Sequence, residues 1–125
     1  MPLNKIRLEL ARTKDHPQGD PEHYHVFIAP LTADGHLDLD LWHKHKQDCT
    51  VVSKESASDD ERHGHLVHDR SGWHFVHLDA GDDQDDEPMF KLDRHHIVVG
   101  EYVSLTESDD VLRTFRIASI NPVRR

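Results

Sequence analysis

Thirteen histidines in a chain of 125 residues are the feature with the most chemical content. Six of them stand as His-x-His pairs: His23 with His25, His43 with His45, and His63 with His65. On a β-strand, residues two apart project from the same face about 7 Å apart, a spacing from which two imidazoles can converge on one metal ion. The pair at His43 and His45 falls in a helix candidate, where side chains two apart diverge. The strongest constellation adds His74. If the segments 64–68 and 73–78 form a hairpin whose paired positions sum to 141, then His63, His65 and His74 share one face. His74 then lies diagonal to His65 at roughly 7–8 Å. Three imidazoles with an open fourth position suit Zn²⁺ or a similar borderline metal, so zinc is the one cofactor the sequence suggests. The spacing matches neither His-Glu-x-x-His nor paired Cys-x-x-Cys. Surface histidines on a polar, strand-rich protein are the plainer reading. Dense exposed imidazoles bind added nickel or zinc weakly whatever the function.

Other chemistry is less well supported. The acidic run Asp79, Asp82, Asp83, Asp85, Asp86 and Glu87 offers hard oxygen ligands without the spacing of a calcium loop, and reads as a solvated loop. Cys49 beside a histidine could act as a nucleophile, but a small buried residue after a helix is the simpler reading. No Gly-x-Ser-x-Gly elbow occurs. No catalytic residue and no enzyme activity are therefore expected. Charging every histidine would move the formal balance from −9 to about +4, so solubility or self-association is expected to change between about pH 5 and 7.

The elements that must position these residues read as short strands. Lys5 to Arg12 alternates Ile6, Leu8 and Leu10 against Arg7 and Glu9. A loop with two prolines and a glycine follows, and Glu22 to Ala29 resumes as a strand with Tyr24, Val26 and Ile28 on one face. Asp38 to Gln47 is the one helix candidate, with Asp38 as N-cap and lysines in its last turn. Leu39, Trp42 and Cys49 recur there at helical spacing. Thr50 to Lys54 is a short strand. In the hairpin 64–78, Leu66, His68, Trp73, Phe75 and His77 are assigned to the core side, because the two large aromatics lie there. Met89 to Leu92 forms another short strand, His95 and His96 fall in a strand entry or loop, and Ile97 to Val99 leads onward.

Gly100 to Ile120 closes the chain as a hairpin. Its apolar positions require an even pairing sum, and 220 pairs Leu105 with Phe115 and Val103 with Ile117 around an Asp109–Val111 loop. Ser119 to Pro122 is expected to end the last strand, because proline lacks a ladder donor.

About six to seven short strands and one short helix predict a mostly β fold (all-β or α+β), a small antiparallel barrel or a curled sheet packed on the helix. The length suits a single domain, 1–125, with solvated loops at 13–21, 55–62 and 79–87. Apolar residues make up 35% and mean hydropathy is −0.75, yet the apolar residues cluster with strand periodicity, which argues for a folded chain. A net charge of −9 argues against nucleic acid as partner. The absence of a long apolar run argues against a membrane span. One cysteine and the polar start MPLNKIRLEL point to the cytoplasm.

The pieces IRLELARTKDHPQGD, HVFIAPL, the Asp34-Gly35 dipeptide before the helix candidate, and GEYVSL followed by TFRIASI resemble a family of small bacterial proteins without an assigned function. The resemblance covers most of the chain and implies one β-rich domain. It brings no functional residue with it.

The expectation is a soluble, noncatalytic binding or interaction module, which could meet a protein partner through the final hairpin. The alternative is a zinc-like metal protein using the 63–78 histidine face. A third reading makes the chain a subunit that pairs a free sheet edge with another chain.

Overall fold

A computed structural model describes residues 3–12, 17–55, 60–69, 72–77, 86–90, 97–106 and 111–123. Among these residues eight antiparallel strands close into a barrel in simple chain order. They are β1 (Leu3–Leu10), β2 (Asp20–Pro30), β3 (Thr50–Lys54), β4 (Arg62–Asp69), β5 (Gly72–His77), β6 (Asp86–Phe90), β7 (Tyr102–Thr106) and β8 (Leu112–Pro122). The mostly β barrel with one short helix is the expected class, with one or two more strands than anticipated. Pairing of β1 with β8 completes the ring, so the described strands offer no free sheet edge for another chain.

Alternation along each strand decides what goes inside. On β1, Ile6, Leu8 and Leu10 are buried, and on β2 the buried set is His23, His25, Phe27 and Ala29. Tyr24, Val26 and Ile28 form the outward face of β2 and are half-buried. Leu66, Phe75, Val103, Leu105, Phe115 and Ile117 join them in the core. Eight strands enclose a lumen just wide enough to be filled by side chains. Here phenylalanines from three strands fill it: Phe27, Phe75 and Phe115 are each at most 1% exposed.

The connection from β2 to β3 closes one end. Asp38 caps α1 (Leu39–Lys44) by accepting from the Leu41 amide, and a 3-10 turn follows over Lys46–Asp48. The helix is shorter than the expected 38–47. Trp42 and Cys49 are buried as their spacing suggests, whereas Leu39 is exposed. The Trp42 indole donates to the Leu66 carbonyl at 2.9 Å and meets Trp73 edge-on at 5.6 Å. Ile97 docks at the same end, its amide donating to the Gly35 carbonyl.

Two registers test the hairpin arguments. The β4–β5 pairing sets Leu66 opposite Phe75 and Gly64 opposite His77, which is the expected sum of 141, and Leu66, Trp73 and Phe75 face the core. The β7–β8 pairing sets Val103 opposite Phe115 and Leu105 opposite Arg113, a sum of 218 rather than 220. A two-residue shift keeps every side chain on its face, so the apolar pattern does not oppose it. Thr106 pairs with Leu112, leaving a five-residue connection instead of the three-residue loop at 109–111.

Other boundaries move for identifiable reasons. β8 does not stop at Ser119 but runs on beside β1, with Pro122 paired to Asn4. Proline is tolerated there because it lies at the strand's end, and Val123 takes over as donor to the Leu3 carbonyl. β2 begins at Asp20 and β4 at Arg62, inside segments expected to be loops. β6 recruits Asp86 and Glu87 from the acidic run, and Lys91 and Leu92 of the expected strand 89–92 lie outside the described residues. Residues 79–85 and His95-His96 lie outside the described residues. No helix among the described residues is long and apolar enough to cross a membrane.

Candidate functional site

The three histidine pairs go to three different environments. His23 and His25 alternate inward on β2 and are 6% and 1% exposed. His43 is exposed on α1, and His45 lies just beyond its end with Nδ1 3.6 Å from the Asp48 carboxylate. His63 and His65 project outward from β4, the first exposed and the second half-buried. His74 pairs with Val67 of β4 and Pro88 of β6 and is 5% exposed. The register therefore sets His63, His65 and His74 on the shared face expected for them. It does not gather them: no group of three or more His, Cys, Asp or Glu residues stands close enough for one ion among the described residues.

The inward pair makes a contact that the sequence did not disclose. Register sets His25 opposite Ser53 of β3, and His25 Nδ1 lies 2.6 Å from Ser53 Oγ. The His25 ring packs on Phe115 at 5.0 Å and Phe75 at 5.5 Å, and His23 meets Phe115 edge-on at 5.6 Å. A histidine within hydrogen-bond reach of a serine has the distance of a base and its nucleophile. Both members are at most 2% exposed, however, so no substrate reaches the hydroxyl. The contact satisfies two polar groups that barrel closure has buried. Cys49 is likewise enclosed, and burial pushes its thiol up to about 11, with Asp48 adding to the shift. A thiol so held is a poor nucleophile at neutral pH.

The outer wall carries the more accessible feature. A groove of about 460 Å³ runs across β8, β1, β2 and β3, lined by Lys5, Arg7, Tyr24, Val26, Val52, Glu61, Ser119 and Asn121. Its location follows from strand alternation. The residues between the core positions of β1 are Lys5, Arg7 and Glu9, and pairing sets Arg7 beside Val26 and Ser119, and Val26 beside Val52. Val26 and Val52 form an apolar floor, with polar side chains around it.

One end of the groove is held rigidly. Arg7 Nε donates to Glu9 at 2.7 Å and its guanidinium also donates to the Pro21 carbonyl. Its plane lies over the Tyr24 ring, 4.4 Å from the centroid, a geometry that arginine favours. The Tyr24 hydroxyl donates to Glu61 Oε2 at 2.5 Å. That hydrogen bond, with burial and the Glu61 charge behind it, raises the Tyr24 pKa, so the phenol remains a donor through neutral pH. Lys54 is drawn away to Glu22 at 3.3 Å. At the other end Lys5 pairs with Asn121 across the β1–β8 ladder. Its side chain is exposed.

A second groove of about 570 Å³ lies between the β1–β2 connection and the final hairpin, lined in part by Arg12, Gln18, Tyr102, Thr114 and Arg116. Among the exposed apolar side chains, Tyr102 and Leu112 belong to that hairpin.

No protein-family model, no curated protein and no solved structure matches this chain.

Sequence reasoning overlooked the outer groove while attending to histidines. Part of the signal was present, since the same alternation that buries Ile6, Leu8 and Leu10 turns Lys5, Arg7 and Glu9 outward. Glu61 sits just before β4, after a polar stretch with no periodicity, and nothing in the sequence tied it to Tyr24.

Proposed function

We propose that the protein is a small noncatalytic binding module whose ligand lies in the outer groove across β8, β1, β2 and β3. The observation that carries this reading is the preorganised Arg7–Tyr24–Glu61 wall beside the Val26–Val52 floor. Small-molecule sites are typically concave and apolar, with a few fixed polar groups that set orientation, and immobilising those groups beforehand lowers the cost of binding. The barrel interior supports the same choice, because aromatic packing already fills it. A groove of this volume falls in the range of small-ligand pockets.

A ligand-observed magnetic-resonance screen of small metabolites tests this. Compounds that bind the native chain are expected to lose binding in Val52→Glu, which puts a charge on the floor, and in Asn121→Trp, which fills one end from an exposed strand position. Retained binding in Asn121→Trp with a native amide spectrum would refute the groove as the site. Absence of any bound compound would refute the binding reading itself.

A further inference from the structure

We infer that the groove selects a zwitterion whose two charges stand apart, of the short-peptide or ω-amino-acid class, held between Lys5 and Glu61; this rests on the binding reading above. Arg7 commits Nε to Glu9 and an Nη2 N–H to the Pro21 carbonyl and lies over the Tyr24 ring, so its charge is already partnered by Glu9. Lys54 is engaged with Glu22. Lys5 makes no ion pair among the described residues. Glu61 accepts from Tyr24 through Oε2, and its other oxygen has no partner among them. The groove therefore presents a cation at the Asn121 end and a carboxylate at the Tyr24 end, with an apolar floor between.

Spacing narrows the ligand further. Lys5 lies in the register row of Ile28 and Asn121, whereas Tyr24 lies in the row of Glu9. Those rows are four residues apart along β1, about 13 Å by strand rise. Glu61 also stands across the sheet from Lys5, since it precedes β4 while Lys5 lies on β1, so the two charges are separated both along the strands and between them. A ligand that meets both must carry its charges apart, which the adjacent charges of an α-amino acid do not allow. A ligand ammonium would face Glu61, its carboxylate Lys5 and Asn121, and an aliphatic side chain the two valines.

Overall charge sharpens the selection. A chain at −9 repels simple anions through its general field. A ligand of zero net charge escapes that repulsion and still forms both local pairs.

The test compares glycyl-leucine, N-acetyl-leucine and leucinamide by amide chemical-shift titration of the native chain, Lys5→Gln and Glu61→Gln. Both substituted side chains are exposed, so the variants are expected to fold. Exposed ion pairs are individually weak, so each lost charge is expected to weaken glycyl-leucine about two- to fivefold. N-acetyl-leucine should be weaker than glycyl-leucine and insensitive to Glu61→Gln, and leucinamide weaker and insensitive to Lys5→Gln. If the singly charged compounds move the groove amides with equal affinity, the zwitterion inference fails and the groove remains the site. If none of the three moves the groove amides while other compounds from the metabolite screen do, the inference fails on ligand class alone. If no compound of either set does so, the binding reading fails with it.

Discussion

The His25–Ser53 contact inside the barrel gives the sharpest stability prediction. Ser53→Ala removes the hydroxyl 2.6 Å from His25 Nδ1 at a site where both residues are at most 2% exposed. In so enclosed a site the loss of this hydrogen bond costs about 1–3 kcal/mol. The oxygen itself is small, and the cavity contribution is minor by comparison. His25→Leu conserves approximate volume between Phe75 and Phe115 but removes the ring nitrogen that meets the Ser53 hydroxyl, again at about 1–3 kcal/mol. In the double variant neither polar group remains, and the loss should fall well below the sum, leaving a coupling of about 1 kcal/mol or more. Urea unfolding of the four proteins at pH 7.5 measures this cycle. A Ser53→Ala change below about 0.5 kcal/mol, or simple additivity, would show that the contact does not hold the barrel together and would refute the structural account of the pair.

Three further outcomes follow from local features. Gly19 has φ +79 and a Cβ there would meet the Leu10 carbonyl oxygen at 2.7 Å; Gly19→Ala should cost at least about 1–3 kcal/mol in urea unfolding, and a neutral result would contradict the β1–β2 geometry. Cys49 is raised from 9.0 to about 11 mainly by burial, so its neutral form is favoured by folding. Its contribution is complete below pH 9 and is lost as pH rises toward 11, by about 3 kcal/mol. Cys49→Ala should flatten that alkaline decline after its own packing cost is subtracted, and equal slopes would refute the assignment. Zinc titration of untagged protein purified without a metal column should show several weak sites, because no three candidate ligands converge among the described residues. One retained equivalent, lost in His65→Ala, would instead make the histidine face the site.

Strand parity was readable from the sequence wherever large apolar residues alternated with polar ones. Leu66, Trp73 and Phe75 declared the core side of the β4–β5 hairpin, and its short turn left a single register. The final hairpin was readable in face and not in register, since pairing sums of 218 and 220 bury the same side chains and the loop length decides between them. The Asp38 cap was readable because capping is a local event. The inward direction of His23 and His25 was hidden by composition: β2 alternates histidine, phenylalanine and alanine against tyrosine, valine and isoleucine, and both faces look burial-competent. Closure of β1 on β8 joins the two ends of the chain, and no local pattern announces such a contact. The groove depends on that closure, because Ser119 and Asn121 join Lys5 and Arg7 through the β1–β8 ladder.

Mapping the amide shifts caused by a bound ligand onto the barrel tests the central claim most directly. Shifts centred on Lys5, Arg7, Tyr24, Val26, Val52, Glu61, Ser119 and Asn121 are the predicted result. Shifts centred instead on His23, His25 and Ser53, or on Tyr102 and Leu112 of the final hairpin, would contradict it.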